Sequence, residues 1–296
     1  MAKLLLTLLL VSFLNANAQN PVQEFNFDGN TSSKDNTISF LGTASFVNDR
    51  MGTPKGAVRL TNKALQAVVG DLPQANKPRT ISVWVKFNTV TSPHYILGYG
   101  TPLSAQYFGL SQQAVSNGEA DLSLTGWETA NNIVASVPLA KEVWYQYCIT
   151  YDGNTSKIYR NGQLLAFVDG IPRLTKGYIL SLGKMNATVG INADIDDLKI
   201  YIVAMTDEQV MESYKSSKPS GAAPETVPAS SSAKKTAVVA AKAVAPVKTA
   251  LPADKYTGPK KVEVFSQGKQ IMGSNASNIG DLPEGTYLLK ITNTSK

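Results

Sequence analysis

Short runs of alternating apolar and polar residues, broken by turn-forming pairs, fill the chain from about residue 20 to 215. The clearest lie between Trp144 and Tyr201, where Asp152-Gly153, Asn161-Gly162 and Gly183-Lys184 punctuate three such runs. Asn-Gly and Asp-Gly tolerate the positive φ of tight hairpin turns, so runs joined by them read as β-hairpins. The period-two pattern predicts strands near 23–28, 37–47, 56–60, 65–69, 79–88, 94–98, 106–111, 120–126, 132–136, 143–151, 156–160, 163–168, 179–182, 187–191 and 194–203. One helix closes the region: Thr206 and Gln209 have capping-box spacing, Asp207 and Glu208 suit the positive end of the helix dipole, and Val210 to Tyr214 follow. So many short strands hide their edges by closing into a sandwich or barrel. The expected fold is all-β, one antiparallel two-sheet sandwich over residues 19–215, a length that supports a sizeable core.

Beyond this region the pattern changes. Residues 216–256 are rich in Ala, Pro, Ser, Lys and Val, with no aromatic residue before Tyr256. Such a segment buries too little apolar surface to offset its ordering entropy and reads as a disordered, extended linker. Residues 257–296 return to alternation at Val262 and Val264, turn at Gly268-Lys269, and end in a strand from Gly285 to Ile291, a small C-terminal β segment.

Charge divides along the same boundary. Residues 19–214 hold 15 Lys/Arg and 17 Asp/Glu, a balance of 15 − 17 = −2, whereas residues 215–296 hold 12 and 5, a balance of 12 − 5 = +7. The overall +6 therefore belongs to the tail. A nucleic-acid partner would require basic residues clustered on a recognisable folded module, so none is expected.

The first residues carry a secretory pattern: Lys3, an apolar stretch from Leu4 to Leu14, then Asn15-Ala16-Asn17-Ala18. Residues 1–18 are thus expected to be a signal peptide cleaved before Gln19. The apolar stretch is too short to span a bilayer, and no later stretch is long enough, so no transmembrane segment is expected in the mature chain. Cys148, the only cysteine, lies inside a strand pattern and allows no intrachain disulfide, which fits a bacterial exported protein.

The order of motifs resembles the LamG-like jelly roll of the concanavalin A-like lectin/glucanase superfamily. Phe27-Asp28-Gly29 resembles its opening strand, and Asp49-Arg50-Met51-Gly52-Thr53-Pro54 a loop common in bacterial members. Thr80 to Phe87 resembles the strand with its first Trp, here Trp84. A Trp-led strand from Trp144 to Thr150-Tyr151-Asp152-Gly153, the Tyr159-Arg160-Asn161-Gly162 turn and Ile195-Asp196-Asp197-Leu198-Lys199-Ile200-Tyr201 follow in the family's order. The resemblance implies a jelly roll and extracellular binding, and assigns Trp84 and Trp144 to the scaffold. The C-terminal segment is similar to the sorting domain of the type IX secretion system at Gly268, Lys269, Asn278, Ile279, Leu282, Pro283, Gly285 and Tyr287. That likeness implies a secretion-machinery partner and a place outside a Gram-negative cell or on its outer surface, after periplasmic export. A small β appendage is the alternative.

Candidate chemistry follows from residue types. Sugar rings present apolar faces ringed by hydroxyls, so their sites pair an aromatic platform with planar polar groups. Trp127, followed by Asn131 and Asn132, is the expected platform, with Tyr99, His94 and Tyr107 in the preceding segment; a plug at the end of the sandwich is the competing reading of Trp127. Glu119 and Asp121 share one strand face, but the third carboxylate of a glucanase motif is missing, so no catalytic residue is assigned. A lone His94 and a single cysteine leave no His-based triad or Cys/His zinc site. Asp194 and Asp196, on one strand face by alternation with Asp197 on the other, together with Asp28, form the expected site for a structural Ca²⁺, the alternative being turn caps or partners of Lys and Arg. The expectation is a non-catalytic module binding a glycan or a cell-envelope protein. A glycoside hydrolase acting on O-glycosyl bonds and a structural surface protein are the alternatives.

Overall fold

The computed structural model describes residues 20–220 and the strands at 260–266, 269–272 and 288–293. The expected signal peptide, most of the linker and the sorting-domain positions other than Lys269 lie outside the described residues. Two antiparallel sheets form a sandwich. The larger contains β1 (Gln23–Phe25), β2 (Ser45–Val47), β3 (Ala57–Thr61), β5 (Arg79–Phe87), β10 (Trp144–Tyr151), β11 (Thr155–Arg160), β12 (Gln163–Asp169) and β16 (Asn192–Tyr201). Its order is β12-β11-β10-β5-β16-β3-β2, with β1 also pairing β16. The smaller runs β4-β13-β6-β7-β8-β9, where β4 is Leu65–Val68, β6 His94–Gly100, β7 Tyr107–Gln112, β8 Glu119–Thr125, β9 Ile133–Pro138 and β13 Ile179–Leu182.

The facing sides supply the core. Ile81, Val83, Val85 and Phe87 of β5, Tyr147 and Ile149 of β10 and Ile195 of β16 meet Phe108 and Leu110 of β7 and Leu122 and Leu124 of β8. These positions alternate along each strand, the spacing that one buried face requires. The outer side of the larger sheet is covered by α1 (Asp207–Ser217), which runs past the boundary expected at 215. Thr206 accepts from the Gln209 backbone and Gln209 reaches back to the Thr206 backbone, the reciprocal box expected from spacing. Val210 of α1 packs with Cys148, Tyr159, Tyr201 and Met205 in a second apolar cluster. Trp84 lies under the same helix, stacked on Tyr214 at 5.9 Å and donating to the Ser217 hydroxyl at 3.2 Å.

Three sequence expectations change. The strand expected at 37–47 shrinks to Ser45–Val47, because Gly42 adopts φ +136° and breaks the extended run. The strand at 187–191 becomes a two-residue ribbon, β14 (Lys184–Met185) with β15 (Thr188–Val189). Asp196 and Asp197 do not separate onto opposite faces: the register shifts between Asp196 and Lys199, Asp197 adopts φ +45°, and both carboxylates meet Arg50. The C-terminal unit, described by itself, is an antiparallel sheet in the order β18-β17-β19, with β17 at Lys260–Ser266, β18 at Lys269–Met272 and β19 at Leu288–Asn293.

Candidate functional site

The outer side of the smaller sheet leads to the expected platform. On β7, Phe108 and Leu110 enter the core, so Tyr107, Gly109 and Ser111 face outward. A Cβ on Gly109 would stand 2.6 Å from Tyr107 Cε1, and one on Gly98 would stand 2.7 Å from Tyr107 Cζ. Two glycines thus let the Tyr107 ring lie down on the sheet. Trp127 then meets that ring edge to face, with centroids 5.8 Å apart at 61°. Trp127 is half-buried, whereas Tyr107 is almost wholly covered, and burial pushes the Tyr107 phenol well above its usual pKa. Tyr107 is therefore the support and Trp127 the more accessible of the two rings.

The loop that presents Trp127 is bound to itself. Asn132 Oδ1 accepts from the Gly126 backbone at 2.9 Å, and Asn131 Nδ2 donates to the Trp127 carbonyl at 2.7 Å and the Ser104 hydroxyl at 2.9 Å. Asn131 Oδ1 and Asn132 Nδ2 have no partner among the described residues, and Glu128 is exposed beside them. An indole face, two amide groups, a hydroxyl and a carboxylate come together in one loop cluster. The loop rests on Arg173, which is wholly buried and donates from Nη1 to the Asn131 carbonyl. Nothing in the Ile171-Pro172-Arg173-Leu174 sequence signals that role, because the contact spans 42 positions.

The remaining expected site residues lie elsewhere. Tyr99 belongs to the core: its hydroxyl donates to the Pro73 carbonyl at 2.8 Å and accepts from Arg79 at 2.8 Å, so its ring is out of a ligand's reach. A register shift between Tyr95 and Leu97 turns the following residues inward. His94 is buried too, with Nδ1 accepting from the Asn192 backbone at 3.2 Å. Glu119 and Asp121 do share the outer face of β8, opposite Pro138 and Ser136 of β9, and Asp121 accepts from the Ser136 hydroxyl.

Two of the three aspartates expected around calcium are taken by cations. Asp194, wholly buried, takes Arg59 Nε at 2.6 Å, Lys86 Nζ at 3.0 Å and Asn88 Nδ2 at 3.1 Å. Burial opposes its ionisation, yet the hydrogen bonds from Arg59, Lys86 and Asn88 hold its pKa below the usual value. Asp196 pairs with Arg50, and burial pushes its carboxyl up to about 7 against that guanidinium's pull. Asp28 is exposed; partial desolvation and the neighbouring Asp197 and Asp49 raise its pKa. β1 pairs with β16, but among the described residues no three His, Cys, Asp or Glu side chains converge as a metal site. A cleft of about 350 Å³ lies elsewhere, at the N-terminus of α1 between Asp152, Lys157 and Glu208; there Lys157 is paired to Asp207 at 2.6 Å.

Solved structures share this architecture. Domain 4 of AbnA, a GH43 extracellular arabinanase from Geobacillus stearothermophilus in complex with arabinotriose, is similar at 18% identity and a TM-score of 0.52, over 65% of this chain and 97% of that one. The binding domain of botulinum neurotoxin serotype D is similar at 13% identity and a TM-score of 0.50, over 67% of this chain and 51% of that one. At these identities the likeness is one of fold. No curated protein sequence matches the chain. The Laminin_G_3 family model matches residues 57–211, just over half of the 296 residues, from β3 into α1. That span holds both faces of the sandwich and the Trp127 loop, and the chain belongs to the concanavalin A-like lectin/glucanases superfamily.

Proposed function

We propose that this protein is a non-catalytic binding module that holds a glycan on Trp127. The observation that carries the reading is the half-buried indole backed by Tyr107, with the free amide atoms of Asn131 and Asn132 in the same loop. An indole face stacks on the CH face of a pyranose while planar amides take its hydroxyls. The arabinanase domain carries arabinotriose and the neurotoxin domain is a binding domain, which supports a recognition role on this fold. With the secretory pattern at residues 1–18 and the sorting-like tail, the module would act outside a Gram-negative cell or on its surface. Docking to a cell-envelope protein is the second reading, favoured by Val68 and Ile179, cross-strand partners that are 51% and 48% exposed.

The test is a broad glycan array probed with the full mature chain and with Trp127→Ala, in calcium and in chelator. Selective binding that vanishes in the variant supports the reading. Binding unchanged by Trp127→Ala, or a blank array, refutes it. Loss of binding or of thermal stability in chelator alone would support a structural calcium ion.

A further inference from the structure

Three unfavourable features converge on the loop that carries Trp127. Trp127 and Glu128 both adopt left-handed φ, +64° and +68°, and Glu128 has ψ 145°, a region that glycine alone occupies readily. Beneath them Arg173 is wholly buried, and no carboxylate among the described residues pairs with it. Its Nη2 has no hydrogen-bond partner. Burial, with the nearby Arg79 adding to it, brings the Arg173 pKa down to about 10. An uncompensated interior cation and two strained residues disfavour the fold, and such costs cluster where a site is held ready.

The geometry explains what Arg173 does with that position. Nε donates to the Ser156 hydroxyl of β11 at 2.9 Å, the backbone N–H lies 3.4 Å from the Tyr151 hydroxyl of β10, and Nη1 meets the Asn131 carbonyl. The side chain thereby ties the loop after β8, in the smaller sheet, to β11 of the larger, and the backbone N–H of the same residue reaches β10. It packs so closely that a Cβ on Gly126 would press against Nη1 and stand 2.5 Å from the Asn131 carbonyl oxygen.

We propose that Arg173 is the positioning residue of the Trp127 platform, fixing the loop of residues 126–132 against the larger sheet so that the indole is presented before a ligand arrives. Its functional meaning rests on reading Trp127 as the ligand platform; its structural content needs no ligand. Only a guanidinium offers donors in two fixed directions at once, which is why lysine does not replace it.

The experiment is fluorine NMR of the full chain labelled with fluorotryptophan, in which the three tryptophans, Trp84, Trp127 and Trp144, give three signals. Trp127 is assigned from Trp127→Phe. In Arg173→Lys, and in Ser156→Ala, which keeps the charge and removes only the Nε acceptor, the Trp127 signal is expected to shift or broaden while the other two stay. A general contribution to folding would instead move all three signals together or leave all three in place with a lower melting temperature. Either pattern overturns the proposal. For a glycan bound by the parent chain, both variants are expected to weaken binding roughly tenfold, the effect of one more side chain to immobilise on binding. A parent chain that binds no glycan refutes the platform reading alone, and the resonances still decide the role of Arg173.

Discussion

Gly98→Ala probes the support beneath the platform. The three atoms nearest the added methyl group all belong to Tyr107: the hydroxyl, then Cζ at 2.7 Å and Cε1 at 2.8 Å. The ring cannot sink, because Gly109 already lies beneath Cε1, and it cannot rise freely, because Trp127 packs on it. Overpacking of this kind costs about 1–3 kcal/mol. Without the ring the sign reverses, since alanine in a strand interior is favoured over glycine by roughly 0.5–1 kcal/mol. The cycle of Gly98→Ala with Tyr107→Ala should therefore show a coupling of about 1.5–4 kcal/mol, the difference between those two effects. Urea denaturation of the full chain and the three variants, followed by tryptophan fluorescence, measures it. If the two substitutions add to within about 0.5 kcal/mol, the ring does not lie on Gly98 and the account of the platform fails.

Glu128→Gly should raise stability by about 1–2 kcal/mol, by placing at φ +68° the residue that tolerates it, while loosening the loop and weakening any glycan binding at Trp127; a less stable variant would contradict the strain. Arg50→Ala should cost about 3–5 kcal/mol in a denaturant melt, because it strands the nearly buried Asp196 and removes a cation stacked 5.0 Å from the Trp84 centroid; a cost below about 1 kcal/mol would show that the pair is not intact. His94 should stay neutral to below pH ~6.5, because burial lowers its pKa and Nδ1 is occupied by a backbone N–H. The unfolded chain then takes up the proton first, so this contribution to stability is complete above pH ~6.5 and is lost as pH falls. NMR titration of this single histidine checks it, and a midpoint near ~6.5 would be the contrary result.

Local periodicity carried most of the sandwich. Val83, Val85 and Phe87 alternate with Ser82, Trp84 and Lys86, and the strand they imply, its buried face and its place in the core all follow. The capping box of α1 was equally legible, because both of its bonds join residues three apart. What the sequence hid depends on pairing between distant strands. The irregularity after Tyr95 that sends Tyr99 inward, and the one after Asp196 that brings two carboxylates to one arginine, are properties of register, which alternation within a strand cannot report. Trp127 was identifiable as an aromatic among amides and Tyr107 as a candidate beside it, but not that Tyr107, 20 positions earlier, lies beneath the indole, nor that Arg173, 46 positions later, holds the loop.

The helix over the larger sheet gives the protein an internal clock. Cys148, the one thiol, is sealed beneath the cluster that Val210 completes, and burial pushes its pKa far above the range in which thiols react. In an oxidising medium an accessible lone thiol would crosslink to its neighbours; here the rate of any such reaction is set by how often α1 lifts from the sheet. The speed at which a thiol reagent labels the native chain is thus a direct count of those openings, and a molecule whose helix has detached would be the one that pairs with a second copy.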